Sequence, residues 1–338
     1  MGMRLGMGLS VVEGSKPSGA AAPANTVAPA ITGTVLTGNT LTVSDGTWTG
    51  TPAPTYTYQW KRDGVNIGGA TNSTYAVTAS DCGPAITCTV TATNASGSAS
   101  TTSASKTFAI TNIPNLTGAS CGDIDGYNAA TGTWTDATGN GQHATQGTAG
   151  NRPGTSAALN GHTGALSDGV DDYLVIAAHA AFGASDKVSA IVAFKDTSTA
   201  PSNILLGVPV TTRFDISVNN PVGGTIVFNN SPGPSTVYYV EDMSSPHIVS
   251  CVADRSASPG VAEFTVWQDG TAKVLSTLNG ADNTGNYGTL GWNLFSFAGA
   301  NGAAASMWFY FVAPRALTAN ERTSIEHYVG YKLGLTVA

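Results

Sequence analysis

Charged side chains are scarce in this sequence, since Asp, Glu, Lys and Arg together make up 10% of the 338 residues. An average globular domain has about 25%. The surface is therefore expected to consist mainly of Thr, Ser, Asn, Gly and Ala. The formal net charge is −7, and no cluster of Lys or Arg occurs in the chain. Because phosphate binding needs such clusters, we do not expect nucleic acid as a partner.

Long apolar runs are also missing. No stretch approaches the ~18 consecutive apolar residues that indicate a membrane-spanning helix, so no membrane partner is expected. The first ten residues, MGMRLGMGLS, lack the leucine-rich core of a secretory signal peptide. We therefore expect the protein to be synthesised in a cytoplasm and not to be exported through a signal peptide.

Four cysteines are present, and none belongs to a CxxC pair, so a zinc site is not expected. Cys82 and Cys88 are close enough in the sequence to form a local disulfide. The alternative is that these two, like Cys121 and Cys251, remain buried thiols. This alternative is favoured because a chain without an export signal is made in a reducing compartment.

The first ten residues alternate between apolar and small or polar side chains, which is the pattern of a β-strand. The apolar positions are Met1, Met3, Leu5, Met7 and Leu9. We expect this segment to add as a strand to a partner protein, with these side chains filling pockets of the partner. Residues 1–24 are therefore predicted to be an anchoring arm with its linker.

Several short alternating runs follow, separated by turn-forming clusters, and this spacing predicts a β-sandwich. The run YQWKRDG and the later run STYAVTASDCGPAITCTVTATNASGSAS resemble bacterial and phage immunoglobulin-like domains. The resemblance covers roughly residues 25–110 and implies that Trp60 packs against the strand of Cys88. Val43 stands where this family usually has a second cysteine. Such domains mostly serve as spacers or adhesive units, so the resemblance implies a fold more than a function.

Residues 111–122 are predicted to be a linker, and residues 123–338 a second domain. Three short runs of this domain resemble concanavalin A-like lectin and glucanase domains of the laminin-G type. They are WTD at Trp134, GNGQHATQ and the hairpin SDGVDDYL. The resemblance implies two stacked, curved sheets. Near the end, Thr318 and Glu321 have the spacing of a capping box, and Gly334 is a helix stop signal. The expected fold class is all-β: a strand-like arm, an immunoglobulin-like sandwich, and a concanavalin A-like jelly roll with a short C-terminal helix.

Glycosidases need two carboxylates across a cleft. The resemblance implies that the glucanases of this fold carry them as Glu-x-Asp-x-(x)-Glu on one strand. The sequence contains no such motif, and its five histidines show neither HExxH nor triad spacing. No catalytic residues and no enzymatic activity are therefore expected.

Carbohydrate contacts remain as a candidate function. Trp134, Tyr287 and Trp292 would stack on sugar faces if they were exposed, and core packing is the alternative for each. Asp171 and Asp172 are further candidates for contact with a sugar. Asp168 and Asp171 lie in a turn that offers the oxygen ligands Ca²⁺ prefers, and the alternative there is an ordinary hairpin turn. No other metal or cofactor is expected.

These features together predict a structural protein on the exterior of a phage particle: a head decoration, a fibre, or a tail or neck appendage. Other virion proteins would hold the arm, and the second domain would bind a glycan on the host surface. A homo-oligomer or another multicopy assembly is expected, because weak glycan contacts gain avidity from many copies. The alternative is a secreted or surface glycan-binding protein of a bacterium, and a glycoside hydrolase is the least favoured interpretation.

Overall fold

The computed structural model describes residues 19–197, 203–208, 214–219, 225–230, 235–257, 260–279, 287, 291–296 and 303–338. The chain divides into two compact units. The first unit comprises the residues up to Gly33, Thr40–Ala76 and Ala85–Lys106. The second unit comprises Thr34–Asn39, Val77–Pro84 and Thr107–Ala338.

The described part of the first unit contains nine strands in three antiparallel sheets. The strands are β1 (Ala21–Val27), β2 (Ile31–Thr32), β3 (Thr40–Val43), β4 (Thr47–Thr51), β5 (Thr55–Arg62), β6 (Val65–Asn66), β7 (Thr74–Ala76), β8 (Ile86–Asn94) and β9 (Gly97–Thr102). The largest sheet has the order β6–β5–β8–β9, and the other two are β2–β3–β7 and β1–β4.

The core of the first unit forms where β5 pairs with β8. Alternate residues of β8, from Ile86 to Ala92, are buried, while the threonines between them are partly exposed. Trp60 of β5 lies directly opposite Cys88 and is completely buried. Its indole Nε1 donates a hydrogen bond to the carbonyl oxygen of Asn72 at 2.8 Å, so the buried donor is satisfied. Trp60 therefore lies beside Cys88 on the neighbouring strand, as the resemblance implied.

The second unit is built on seventeen described strands in one antiparallel network. The first nine are β10 (Ser120–Asn128), β11 (Thr133–Asp136), β12 (Ala144–Thr145), β13 (Gly154–Thr155), β14 (Ala165–Asp168), β15 (Leu174–Ile176), β16 (Lys187–Asp196), β17 (Asn203–Gly207) and β18 (Phe214–Asn219). The others are β19 (Thr225–Asn230), β20 (Ser235–Val240), β21 (His247–Asp254), β22 (Phe264–Gln268), β23 (Thr271–Ala272), β24 (Ser276–Asn279), β25 (Trp292–Leu294) and β26 (Ala304–Ala313).

The helices of the second unit are few and mostly short. The two α-helices are α1 (Ala180–Gly183) and α2 (Ala319–Leu333), and the 3₁₀ turns are Ala79–Asp81, Ile110–Asn112, Ala149–Asn151 and Gly260–Glu263. No helix in the described residues is long and apolar enough to cross a membrane.

Strand β16 is central to the second unit, because it pairs with β21 on one side and with β26 on the other. A strand that is covered on both faces needs apolar residues on both. The sequence VSAIVAF supplies them, and residues 188–194 are all buried. On β26, every residue from 305 to 313 is likewise buried. The all-β fold with a short C-terminal helix, predicted from the sequence, is confirmed.

Helix α2 begins and ends at the residues that the sequence predicts. The Thr318 hydroxyl accepts a hydrogen bond from the backbone N–H of Glu321 at 3.3 Å, and the Glu321 carboxylate accepts one from the backbone N–H of Thr318 at 2.8 Å. This is a capping box. Gly334 follows the helix with a φ of 69°, in the left-handed region where a residue without Cβ is least strained.

All four cysteines are free, buried thiols. The local Cys82–Cys88 disulfide is therefore not formed, and the favoured alternative describes the structure. Burial raises the pKa of the Cys88 thiol to about 11, and it raises the pKa values of Cys121 and Cys251 well above the usual value. These thiols are neutral at pH 7 and serve as small apolar groups of the cores.

Candidate functional site

The three aromatic residues predicted to contact carbohydrate lie in the core of the second unit. Trp134 is 0% exposed, and Tyr287 and Trp292 are each 1% exposed. The Trp134 ring packs edge-on against Tyr310 with ring centroids 5.3 Å apart, and Trp292 packs against Phe182 at 5.1 Å. This corrects the prediction that these rings contact sugars, because packing between the strands leaves none of them a free face.

The acidic residues of the predicted hairpin do come together. Asp168 ends β14, and Asp171 and Asp172 follow in the turn before β15. One carboxylate oxygen from each of the three lies within 4.8 Å of the other two. Asp172 is nearly buried and accepts a hydrogen bond from the backbone N–H of Asp168 at 3.0 Å. Burial, together with the charges of Asp168 and Asp171, raises the pKa of Asp172, so like charges are crowded in this turn.

A cavity of about 250 Å³ lies at the C-terminal end of α2, and all of its lining residues belong to the second unit. One wall comes from the 3₁₀ turn at residues 79–81 and the segment that follows it, and the others come from α2 and the residues after that helix. The lining residues are Ser80, Cys82, Pro84, His327, Tyr331, Leu335 and Val337.

Tyr331 forms one side of this cavity through close contact with Gly83. A Cβ atom at position 83 would lie 2.6 Å from ring and Cβ atoms of Tyr331, so only glycine fits under this side chain. After Gly334 the chain turns back, and the backbone N–H of Leu335 donates to the carbonyl of Gly330 at 2.9 Å. This turn brings Leu335 and Val337 alongside the last turn of the helix.

The cavity combines an exposed aromatic face with neutral polar groups. Tyr331 is 47% exposed, and it is the one aromatic residue among the exposed large apolar residues of the described chain. Burial lowers the pKa of His327 below its usual value, so its imidazole is neutral at pH 7, and one of its ring nitrogens hydrogen-bonds the backbone of Ala338. Ser80 adds an exposed hydroxyl. The described lining contains no Lys or Arg.

The position of Tyr331 at a cavity has no local signal in the sequence, because it depends on long-range contacts. Tyr331 lies outside the buried stripe formed by Ile325, Val329 and Leu333, so helical periodicity alone marks it as a solvent-facing residue. The segment that completes the cavity, residues 80–84, is about 250 positions away in the sequence. The predicted anchoring residues Met1, Met3, Leu5, Met7 and Leu9 lie outside the described residues, so their role stays a prediction.

No model of a known protein family matches the chain, and no curated protein matches it. Several solved structures resemble part of the fold. Domain 4 of a GH43 extracellular arabinanase from Geobacillus stearothermophilus, in complex with arabinotriose, is 14% identical, and the match covers 62% of this chain and 98% of that one with a TM-score of 0.42. Trypanosoma rangeli sialidase, in complex with the inhibitor DANA, is 11% identical, with 72% of this chain and 42% of that chain covered and a TM-score of 0.43.

A third similar structure is the CBM40 domain of the Ruminococcus gnavus IT-sialidase, bound to α2,3-sialyllactose. It is 16% identical, and the match covers 42% of this chain and 83% of that one with a TM-score of 0.33. At these identities and TM-scores the matches transfer neither an activity nor a ligand to this chain.

The comparisons nevertheless correct the expectation that the protein is not an enzyme. Two of the matched structures belong to glycoside hydrolases, an arabinanase and a sialidase. The expectation rested on the absence of the Glu-x-Asp-x-(x)-Glu motif. That motif represents only one arrangement of catalytic carboxylates, with all of them on one strand. Groups from separate strands and loops can form a catalytic site that no local motif reveals.

Proposed function

We propose that the second unit is a glycan-binding domain and that the cavity beside Tyr331 is its site. The observation that carries this proposal is an aromatic ring, 47% exposed, at a cavity of about 250 Å³ that also presents Ser80 and His327. A sugar ring has an apolar face that stacks on an aromatic ring and a rim of hydroxyls that need hydrogen-bond partners. Tyr331 meets the first requirement, and the two polar side chains meet the second.

The charge of the lining favours a neutral sugar. An acidic sugar carries a carboxylate, which proteins usually bind through Arg or Lys, and the described lining has neither. A neutral imidazole at His327 and a serine hydroxyl suit sugar hydroxyls instead. A cavity of this size accommodates a single ring, below the ~300 Å³ at which sites for drug-sized ligands begin. Binding by one site is therefore expected to be weak and to gain strength from several copies.

We also propose that the acidic turn binds Ca²⁺ through Asp168, Asp171 and Asp172. Calcium takes six to eight oxygen ligands, and three carboxylates within 4.8 Å of one another supply hard oxygens at suitable spacing. Burial is the main cause of the raised pKa of Asp172, and the charges of Asp168 and Asp171 add to it; a divalent cation would offset both effects. Bound Ca²⁺ would fix the turn between β14 and β15.

We propose a secreted or surface glycan-binding protein of a bacterium as the setting for this function, because glycan binding needs no more than the second unit. The exterior of a phage particle also requires an anchor, and the segment predicted for it, residues 1–10, lies outside the described residues. Deletion of residues 1–12 tests the phage setting. If that setting applies, the truncated protein still folds but is lost from purified particles.

A glycan array with neutral oligosaccharides tests the binding proposal directly. The wild-type protein is expected to bind a subset of neutral glycans, and Tyr331→Ala is expected to lose that binding. Tyr56→Ala serves as the matched control, since Tyr56 is a partly exposed tyrosine of the first unit. An empty array, or equal binding by wild type and Tyr331→Ala, would overturn the assignment.

A further inference from the structure

Ser245, His247 and Asp269 form a hydrogen-bonded chain in the second unit, separate from the cavity and from the acidic turn. Oγ of Ser245 lies 3.1 Å from Nε2 of His247. Nδ1 of the same imidazole lies 2.6 Å from Oδ2 of Asp269. A nucleophile, a base and a carboxylate that orients the base need these two contacts, one on each ring nitrogen.

The β21–β22 pairing fixes the carboxylate of this chain. Asp269 follows β22 in a turn, with a φ of 49°. Its Oδ1 accepts a hydrogen bond from the backbone N–H of Ile248 at 2.9 Å, and its own backbone N–H donates to the Ile248 carbonyl at 2.8 Å. Because His247 directly precedes Ile248, these bonds hold the Asp269 carboxylate against Nδ1 of the imidazole.

Gln268 also contacts Nδ1 of His247, in an arrangement that exchange of its amide atoms makes compatible with a proton on Nδ1. Its amide Nε2 lies 3.1 Å from Nδ1 of His247, and its Oε1 is buried with no hydrogen-bond partner among the described residues. Amide oxygen and nitrogen are interchangeable in such an assignment. Exchanging them places a second acceptor against the Nδ1–H of His247, which leaves the lone pair of Nε2 facing Ser245.

The carboxylates of Asp269, after β22, and of Glu241 and Asp242, before β21, act on the charge of His247. Lys273 pairs with Glu241 at 2.7 Å, and the backbone of Asp242 also hydrogen-bonds the imidazole. The hydrogen bond to Asp269 raises the pKa of His247, against the opposing effect of partial burial. The imidazole is therefore a stronger base than usual once it is neutral, and it is neutral only at a pH above this raised value.

We propose that Ser245 is a nucleophile for acyl transfer from small esters, with His247 as general base and Asp269 as a positioning residue. Oγ of Ser245 bonds to the ester carbonyl carbon while its proton passes to Nε2 of His247. The bond from that carbon to the alcohol oxygen breaks, and His247 returns the proton to the departing oxygen. Water then attacks the acyl-serine by the same route, releasing the carboxylic acid and restoring Ser245, so that ester and water become acid and alcohol.

The site is accessible to such a substrate. Ser245 is exposed, and the His247 and Asp269 side chains are 18% and 28% exposed. The residues of this hydrogen-bonded chain do not line the Tyr331 cavity. The two sites are nevertheless neighbours, because the backbone N–H of Ala338, which follows Val337 of the cavity lining, donates to the Asp269 carbonyl at 2.9 Å.

A fluorophosphonate probe on the full-length protein tests the proposal, with the adduct located by mass spectrometry. The wild type is expected to be labelled at Ser245, with a rate that rises with pH through the pKa of His247. Hydrolysis of p-nitrophenyl acetate should follow the same pH profile. Ser245→Ala should abolish the adduct, whereas Ser244→Ala, at the neighbouring exposed serine, should leave it unchanged.

Asp269→Asn distinguishes a role of Asp269 in positioning His247 from a role in supporting the fold. The asparagine amide keeps an acceptor for the Ile248 N–H, so the fold is retained while the charge beside His247 is lost. The variant should lower the labelling rate about 100-fold. It should also move the pH profile to lower pH, because the His247 pKa falls without the carboxylate. The absence of a Ser245 adduct on folded wild-type protein at pH 9, labelling spread equally over Ser244 and Ser245, or a wild-type rate independent of pH would each overturn the proposal.

Discussion

Glu321→Gln is the perturbation that best probes how α2, the helix carrying Tyr331 and His327, is held. The Glu321 carboxylate is 5% exposed, and it accepts two hydrogen bonds from the Arg315 guanidinium, both at 2.9 Å. A third comes from the backbone N–H of Thr318 at 2.8 Å. Glutamine keeps the volume and one acceptor, but it removes the charge and directs an NH₂ group at the guanidinium.

The structure sets the size of the effect. Breaking a fully buried ion pair costs about 3–5 kcal/mol. The Arg315 side chain is 25% exposed and also donates to the carbonyls of Asn115 and Pro114, so it stays partly satisfied in the variant. We therefore expect a loss of about 2 kcal/mol in the free energy of unfolding. For a unit of this size that corresponds to a fall in Tm of about 4–8 °C.

The effect should depend on pH with a definite sign. Burial alone would raise the pKa of Glu321, but the hydrogen bonds from Arg315 and Thr318 outweigh it and hold the pKa below the usual 4.5. The folded-state pKa lies below the unfolded one, so this stabilisation is complete above the unfolded value and is lost as the pH falls through the folded value. The difference between wild type and Glu321→Gln should therefore be full at pH 7 and shrink as the carboxyl protonates.

Thermal unfolding followed by calorimetry between pH 3 and pH 7 measures this difference. Glu241→Gln is the control, because Glu241 pairs with Lys273 but its side chain is 40% exposed. Exposed pairs contribute about 0–1 kcal/mol, so this variant should unfold close to the wild type. If the two variants lose equal stability at pH 7, or if the Glu321→Gln effect is the same at pH 3, the description of the capping box is refuted.

Three further changes follow from the same contacts. Gly83→Ala places a Cβ 2.6 Å from Tyr331, so it should displace the ring and reduce glycan affinity in a folded protein; unchanged affinity in a titration would contradict the proposed site. Trp134→Ala empties a core position and should cost about 3–5 kcal/mol in chemical denaturation without altering affinity per folded molecule. Wild type should gain about 2.7 kcal/mol of stability at a Ca²⁺ concentration 100 times its Kd, and Asp172→Asn should lose this gain; an equal thermal shift in both would exclude the turn as the site.

The elements with local signals were predictable. Helix α2 was foreseen at both ends, because Thr318, Glu321 and Gly334 act through hydrogen bonds and backbone angles within a few residues. The residues of β16 are typical of a strand, but its burial from 188 to 194 depends on the rest of the unit and has no local signal. Trp60 and Cys88 were placed by a resemblance, and the structure pairs them in register.

The sites depend on contacts that no local pattern encodes. Whether Trp134 stacks on a sugar or packs in the core is decided by strands on either side of it, and not by the residue type. The role proposed for Tyr331 depends on its contact with Gly83 and on the chain reversal after Gly334. Asp269 reaches His247 because β21 and β22 pair, although 22 positions separate the two residues in the sequence.

Calorimetric titration of wild type, Tyr331→Phe and Tyr331→Ala with a glycan identified on the array shows whether the Tyr331 ring binds the sugar. Phenylalanine keeps the ring that stacks on the sugar, whereas alanine removes it. We expect Tyr331→Phe to bind within about threefold of wild type and Tyr331→Ala to bind at least about tenfold more weakly, a loss of about 1.4 kcal/mol. Equal affinity of Tyr331→Ala and wild type would show that the cavity beside Tyr331 is not where this protein binds a glycan.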